Sequence, residues 1–133
     1  MNGQVLAMAA SALLFGATAT NAAARHEITD IGTLGGIWSV ATGLNDHGRV
    51  VDYGPTSGNN MSHAFLYDRG SITYLGTLEG AYNDASGINN SSQVSGDSHT
   101  LQVMDNGSLE ARAYIYTDGV MINLGTLTLQ LHV

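Results

Sequence analysis

Within the body of the chain, apolar side chains recur at alternate positions or in short bounded runs, without the three-to-four spacing of an amphipathic helix. His63-Ala64-Phe65-Leu66-Tyr67 and Arg112-Ala113-Tyr114-Ile115-Tyr116 are two such runs. Each leads into a turn signal, Arg69-Gly70 or Asp118-Gly119, and then a further apolar run, which predicts a hairpin; Asp118-Gly119 is the better type I′ signal. Asn45-Asp46-His47-Gly48 separates two more strand-like segments, and Gly48 supplies the positive φ that a three-residue hairpin loop requires. The corresponding Asn89-Asn90-Ser91-Ser92 lacks a glycine, so an asparagine is expected to enter the left-handed region there. Residues 104–109, with Asp105-Asn106-Gly107-Ser108, read as a longer exposed loop. At the C-terminus, Leu127, Leu129, Leu131 and Val133 alternate with Thr128, Gln130 and His132 as in a half-buried strand. Left unpaired, that strand would offer an apolar edge for self-association.

These elements repeat. A shift of 44 lays Ile28-Thr29-Asp30-Ile31-Gly32-Thr33-Leu34-Gly35-Gly36 on Ile72-Thr73-Tyr74-Leu75-Gly76-Thr77-Leu78-Glu79-Gly80, and ten of 23 positions are identical between 28–50 and 72–94. Residues 64–70 match 113–119 at a shift of 49, so the second copy carries a five-residue insertion. A third copy opens at Leu124-Gly125-Thr126-Leu127. Repeat 1 spans about 28–71, repeat 2 about 72–120, and a partial repeat 3 covers 121–133. About four short strands per repeat is the size of one β-propeller blade. The expected fold is all-β: antiparallel four-stranded units, propeller-like but incomplete, with the two repeats packed as a two-sheet sandwich. A sheet of this size cannot cover its own faces, so its neighbour must.

The first 24 residues lack Asp, Glu, Arg and Lys, and 5–19 form an apolar run followed by Ala22-Ala23-Ala24. This reads as a signal peptide at 1–24, cleaved before Arg25, which leaves 25–133 as the repeat domain. No basic residue precedes Val5, and an Ala-rich terminal helix is the competing reading. With 4 Arg, no Lys and 11 acidic residues in 133, the formal charge is −7, against a surface for nucleic acid or anionic lipid. The absence of Lys and Cys removes Schiff-base and thiol chemistry, thiolate metal sites and disulfides.

Leu-Gly-Thr-Leu, then Gly-Ile-Asn, then a Gln-Val arm, then His63-Ala64-Phe65-Leu66-Tyr67-Asp68 resemble the bacterial HAF extracellular repeat, named for the triplet at 63–65. The resemblance covers 28–127. The chain departs from the pattern at Asp52, where the family has Gly, at Arg112-Ala113-Tyr114 in place of His-Ala-Phe, at Glu79-Gly80 in place of Gly-Gly, and after Leu127. It implies an exported protein of bacterial surfaces, propeller-like in shape, and carries no catalytic activity to transfer.

Candidate chemistry is sparse. His63 opens an apolar strand and reads as structural. His26, His47, His99 and His132 show no ligand spacing, so no zinc or other metal site and no cofactor is expected. Asp97-Ser98-His99 is no triad, because neighbours on a strand point to opposite faces. Asp30, Asp52, Asp68, Asp84 and Asp97 read as scattered turn and strand-end carboxylates, and no loop has the twelve-residue calcium pattern. Phe65, Tyr67, Tyr114 and Tyr116 are expected in the core. Trp38 and Tyr82, equivalent in the two repeats, are the candidate ligand-binding residues: as exposed rings beside Asn and Asp they would stack on a sugar, and the competing reading makes them core. The expected protein is therefore a secreted or periplasmic, non-catalytic module of the bacterial cell surface, structural, adhesive or ligand-binding. Its expected partner is a glycan or other surface ligand. The alternatives are a propeller-type carbohydrate-active hydrolase or lyase using paired carboxylates, and a fragment of a longer repeat protein without independent function.

Overall fold

The computed structural model describes residues 25–58 and 60–125. Contacts divide the chain into Met1–Asp30 and Ile31–Val133. Of the first unit, residues 25–30 are described; they are exposed and carry no regular structure. The expected signal peptide at 1–24, and the alternating strand at 127–133 with the self-association expected through it, lie outside the described residues.

Within the second unit, β1 (Val40–Leu44), β2 (Val50–Pro55), β3 (Ser62–Asp68) and β4 (Ser71–Tyr74) form one antiparallel sheet in chain order. A second follows from β5 (Asn83–Ile88), β6 (Val94–Val103), β7 (Leu109–Thr117) and β8 (Val120–Asn123). The described residues contain no helix, and the sheets do not close into a barrel. This is the all-β, incomplete propeller-like pair of sheets that the repeats predict.

Register shows how closely one sheet copies the other. Val40 faces Tyr53 in the first, and Asp84 faces Asp97 in the second; Val50 faces Tyr67, and Val94 faces Tyr116. The irregularity is copied too, since the register slips between Ala41 and Gly43 and again between Ala85 and Gly87. A Cβ on Gly43 would come 3.1 Å from Gly87 Cα, so Gly43 lets β1 approach β5 closely, whereas a Cβ on Gly87 would meet open space.

The turns obey their local chemistry with two corrections. Arg69 and Gly70 have φ of 47° and 89°, and Asp118 and Gly119 have 50° and 82°, as a type I′ hairpin demands. Gly48 takes φ 73° as expected. In the second repeat, however, Ser92 enters the left-handed region (φ 59°) instead of an asparagine. The Ser92 hydroxyl accepts hydrogen bonds from Asn45 Nδ2 (3.2 Å) and Arg49 Nη1 (2.6 Å), so contacts with the first repeat offset the local cost. The insertion is not a long loop either. It lengthens β6 and β7 into a projecting ribbon closed by a tight turn, with Met104 N donating to Ser108 O at 2.8 Å. Leu101, Val103, Met104 and Leu109 are exposed on it.

The core sits between the sheets. Val51 and Ala64 of the first sheet, with Leu75 just past β4, cluster with Ala85, Val94, Tyr114 and Tyr116 of the second. Tyr114 and Phe65 are fully buried, and burying a side chain of that size stabilises by roughly 2–3 kcal/mol. Tyr67 is half-buried. Neither sheet holds such a core alone: Val51 and Ala64 are covered, whereas their equivalents Ser95 and Ala113 are exposed.

Candidate functional site

Trp38 and Tyr82 stand just ahead of β1 and β5, at equivalent points of the two repeats. Trp38 is 45% exposed and meets Tyr53 edge-on, with ring centroids 6.1 Å apart. Tyr82 is 41% exposed, meets His99 at 5.4 Å, and donates its hydroxyl to Asn60 O at 3.1 Å. Each ring is thus braced by a neighbour and open on the rest, neither core nor free.

A polar cleft of about 590 Å³ opens where the β3–β4 turn of the first sheet meets the β5–β6 loop and the β7–β8 turn of the second. Two of the four arginines in the chain, Arg49 and Arg69, line it, and both bind Asp68. Arg49 Nε donates to Asp68 Oδ2 and Arg69 Nε to Asp68 Oδ1, each at 3.0 Å. The Arg69 and Arg49 guanidiniums hold the Asp68 carboxyl below its ordinary range. Leu66 and Tyr116 contribute apolar surface to the cleft, and Ser71, Thr73 and Ser91 contribute hydroxyls. An adjoining recess of about 240 Å³ extends it toward His47 and Asn90.

The carboxylates are not all scattered, which corrects the reading from sequence. Asp84 on β5 lies directly opposite Asp97 on β6. Burial pushes the Asp84 carboxyl up, the Asp97 charge adds to that, and His99 opposes it. Asp52 is 1% exposed in mid-strand rather than at a turn. Burial raises its carboxyl against hydrogen bonds from Ser39 and the Val40 and Tyr53 backbone. The pairing of Asp84 and Asp97 was open to sequence reasoning, because centring a hairpin on Asn89-Asn90-Ser91-Ser92 counts the two residues into register.

The histidine and serine candidates sit in structural contacts. His63 Nδ1 lies 3.1 Å from the Tyr74 hydroxyl and 3.3 Å from Asn83 Oδ1, and Asn83 Oδ1 also accepts from Ala64 N at 3.0 Å. This buried group ties β3 to the start of β5. At the equivalent position, Arg112 instead pairs with Glu110 at 2.6 Å, which with Thr100 lowers the Glu110 carboxyl. Ser98 is fully buried and accepts from Leu78 N at 2.9 Å, while Asp97, next to it, is exposed. Among the described residues no three His, Asp or Glu side chains come together as metal ligands would.

Comparison with family models, with curated proteins and with solved structures finds no match for this chain.

Proposed function

We propose that the chain is an exported, non-catalytic β-repeat module of a bacterial cell surface whose task is to bind a ligand, of the kind the HAF-like motifs imply. The observation that carries this reading is the inter-sheet cleft, about 590 Å³ in volume and walled by hydroxyls and guanidiniums. It exists because two copies of one unit pack together; a single repeat would have no second wall. Hydroxyl and guanidinium donors around a patch of Tyr and Leu suit a saccharide, which offers ring faces to the apolar patch and hydroxyls to the rim. Trp38 and Tyr82, half-exposed and braced, stand just ahead of β1 and β5, at the opposite end of the strands from the cleft, so they do not line it and would offer a separate stacking surface. The test has two arms. Expression in a Gram-negative host with cell fractionation and N-terminal sequencing is expected to give a product beginning at Arg25 outside the cytoplasm. Glycan-array binding by that product is expected to select a subset of saccharides; retention in the cytoplasm and an array without signal would reject the reading.

A second reading, a carbohydrate-active hydrolase or lyase, is favoured by one observation: the cross-strand pair of Asp84 and Asp97, with Asp84 biased toward its protonated form. Turnover of a chromogenic glycoside by the wild type, lost in both Asp84→Asn and Asp97→Asn, would establish the enzyme in place of the module.

A further inference from the structure

The two repeats act as controls for one another. At equivalent positions the first has Arg49, Asp68 and Arg69, and the second has Gln93, Thr117 and Asp118. Both hairpins form, in the same register and with the same pair of positive φ angles. The Arg-Asp-Arg group is therefore not required to form these hairpins; Arg49 does hold Ser92 of the other sheet, whereas Arg69 hydrogen-bonds only to Asp68 among the described residues. Arg69 is moreover a poor residue for its place, since the left-handed position of a type I′ turn favours Asn, Asp or Gly and costs other residues about 1 kcal/mol. A residue kept at a cost to the backbone, exposed at the mouth of a cleft, is placed for something other than folding.

From this we infer that the cleft recognises a carboxylate-bearing saccharide, a uronate or similar acidic sugar, through Arg69 and Arg49. The inference rests on the ligand-binding reading above and names the ligand class. Arg49 is largely committed: its Nε binds Asp68 and its Nη1 binds Ser92 Oγ. Arg69 uses only Nε, and its side chain is 84% exposed, so both terminal nitrogens face water as a fork that matches a carboxylate. Asp68, held between the two guanidiniums, fixes the orientation of both. In a chain of net charge −7, this is where cationic donors concentrate. The remaining surfaces, hydroxyls of Ser71, Thr73 and Ser91 beside the Tyr116 ring, suit a sugar, which takes hydroxyl donors at its rim and an aromatic face against its ring. Asp118 also lines the cleft, where its charge opposes an anionic ligand.

Titration calorimetry of the whole chain at low and at physiological salt tests this, with a short oligogalacturonate, its carboxyl-reduced neutral counterpart and a poly-glutamate peptide as probes. Arg69→Asn keeps the turn, because Asn tolerates the left-handed region, and is expected to weaken oligogalacturonate binding at least tenfold. Arg69→Lys should recover part of that loss, and Asp118→Asn should tighten binding several-fold. The neutral counterpart should bind at least tenfold more weakly than the acid, and added salt should narrow the difference. Equal affinity for the acidic and neutral sugars with no effect of Arg69→Asn would overturn the acidic-sugar inference and leave a ligand-binding module. Tighter binding of poly-glutamate than of oligogalacturonate would replace the saccharide by a peptide. Absence of binding to all three, with an empty glycan array, would remove both readings.

Discussion

Asn45 donates from its side-chain amide to the backbone carbonyl of Asn89, 3.1 Å away, although the two residues are the same position of the repeat, 44 apart. Asp46 and Asn90, the next equivalent pair, are joined the same way: Asp46 N donates to Asn90 Oδ1 at 2.9 Å, and Asn90 Nδ2 to Asp46 Oδ2 at 2.7 Å. Each loop therefore closes its own hairpin and meets its counterpart from the other sheet. These equivalent turns do two jobs only because the sheets stack in a fixed phase.

That double duty predicts unequal costs at equivalent sites. Asn45 is buried, and its Oδ1 accepts from His47 N and Arg49 N at 3.0 Å while its Nδ2 reaches Asn89 O and Ser92 Oγ. Asn89 is exposed, and its side chain bonds only within its own loop, to Gln93 N and Gln93 Oε1. At about 1 kcal/mol net per hydrogen bond, Asn45→Ala should destabilise by roughly 2–4 kcal/mol and Asn89→Ala by about 1–2 kcal/mol. Urea unfolding of the two variants reads the difference. Equal losses would mean that the inter-sheet bonds contribute nothing.

A second asymmetry concerns glycines. Gly80 N donates to His99 O at 2.9 Å, and a Cβ on Gly80 would collide with that same carbonyl oxygen. A Cβ on Gly36 would likewise collide with Pro55 O. Gly76, by contrast, has φ 85° with open space around its missing Cβ. Gly76→Ala should cost about 1 kcal/mol, the price of a left-handed alanine. Gly80→Ala carries no left-handed cost but must push β6 from the segment before β5, and should lower the thermal midpoint by clearly more. Calorimetric midpoints that fall together would refute the close approach.

The pattern of strands and the hairpin types were legible because each depends on residues within a few positions, alternation and Asp-Gly or Arg-Gly, and the pairing of two sheets was legible from the repeat at a shift of 44. What escaped the sequence depends on the partner sheet. Ser92 enters the left-handed region in place of an asparagine because Asn45 and Arg49 hold its hydroxyl. The insertion extends two strands because Leu109 can pair back to Val103, which composition alone does not reveal. Asp52, where the repeat pattern has glycine, lies opposite Phe65, whereas Gly96 lies opposite Tyr114, whose hydroxyl donates to Asp84 O at 3.1 Å. Each cross-strand pair thus holds one polar group, supplied by β2 in the first repeat and by β7 in the second. Burial pushes the Tyr114 hydroxyl up to about 12, so it remains a donor throughout the accessible range. Arg69 reads from sequence as a turn residue and Asp68 as a solvated carboxylate, because agreement between the repeats reports the fold, whereas the cleft is built where they differ, at Arg49, Asp68 and Arg69 against Gln93, Thr117 and Asp118.

Asp52 gives a pH prediction with a definite sign. Its folded carboxyl is raised above the unfolded value, chiefly by burial, so the folded state binds its proton more readily than the unfolded chain. The associated stability is fully present below the unfolded value, near 3.9, and is lost as pH rises through the folded one. At neutral pH the charge is a net cost, and Asp52→Asn should be more stable than wild type. Lowering the pH toward 4 should shrink that advantage. Asp68, whose carboxyl is lowered, works in the opposite direction: its contribution is present above the unfolded value and is lost as pH falls through the folded one. Chemical denaturation across pH 3.5–7 separates the two, since Asp68→Asn should lose stability at neutral pH.

The carboxylate pair on the second sheet supplies the last test. Asp84 is raised first by burial and second by the Asp97 charge across the β5–β6 ladder. Asp97→Asn removes the second cause and leaves the first, so the Asp84 carboxyl should titrate at lower pH than in wild type yet still above an ordinary aspartate. Carboxyl carbon shifts followed by NMR against pH read this directly. An unchanged titration would show that the two charges do not sense each other, and with it the enzymatic reading would lose the only observation in its favour. A fall all the way to the ordinary value would instead mean that burial contributes nothing, which the half-buried position of Asp84 opposes. Because a raised carboxyl destabilises the folded state once ionised, Asp84→Asn should gain stability at neutral pH, as Asp52→Asn does, and the two gains should add if the sites, one in each sheet, are independent.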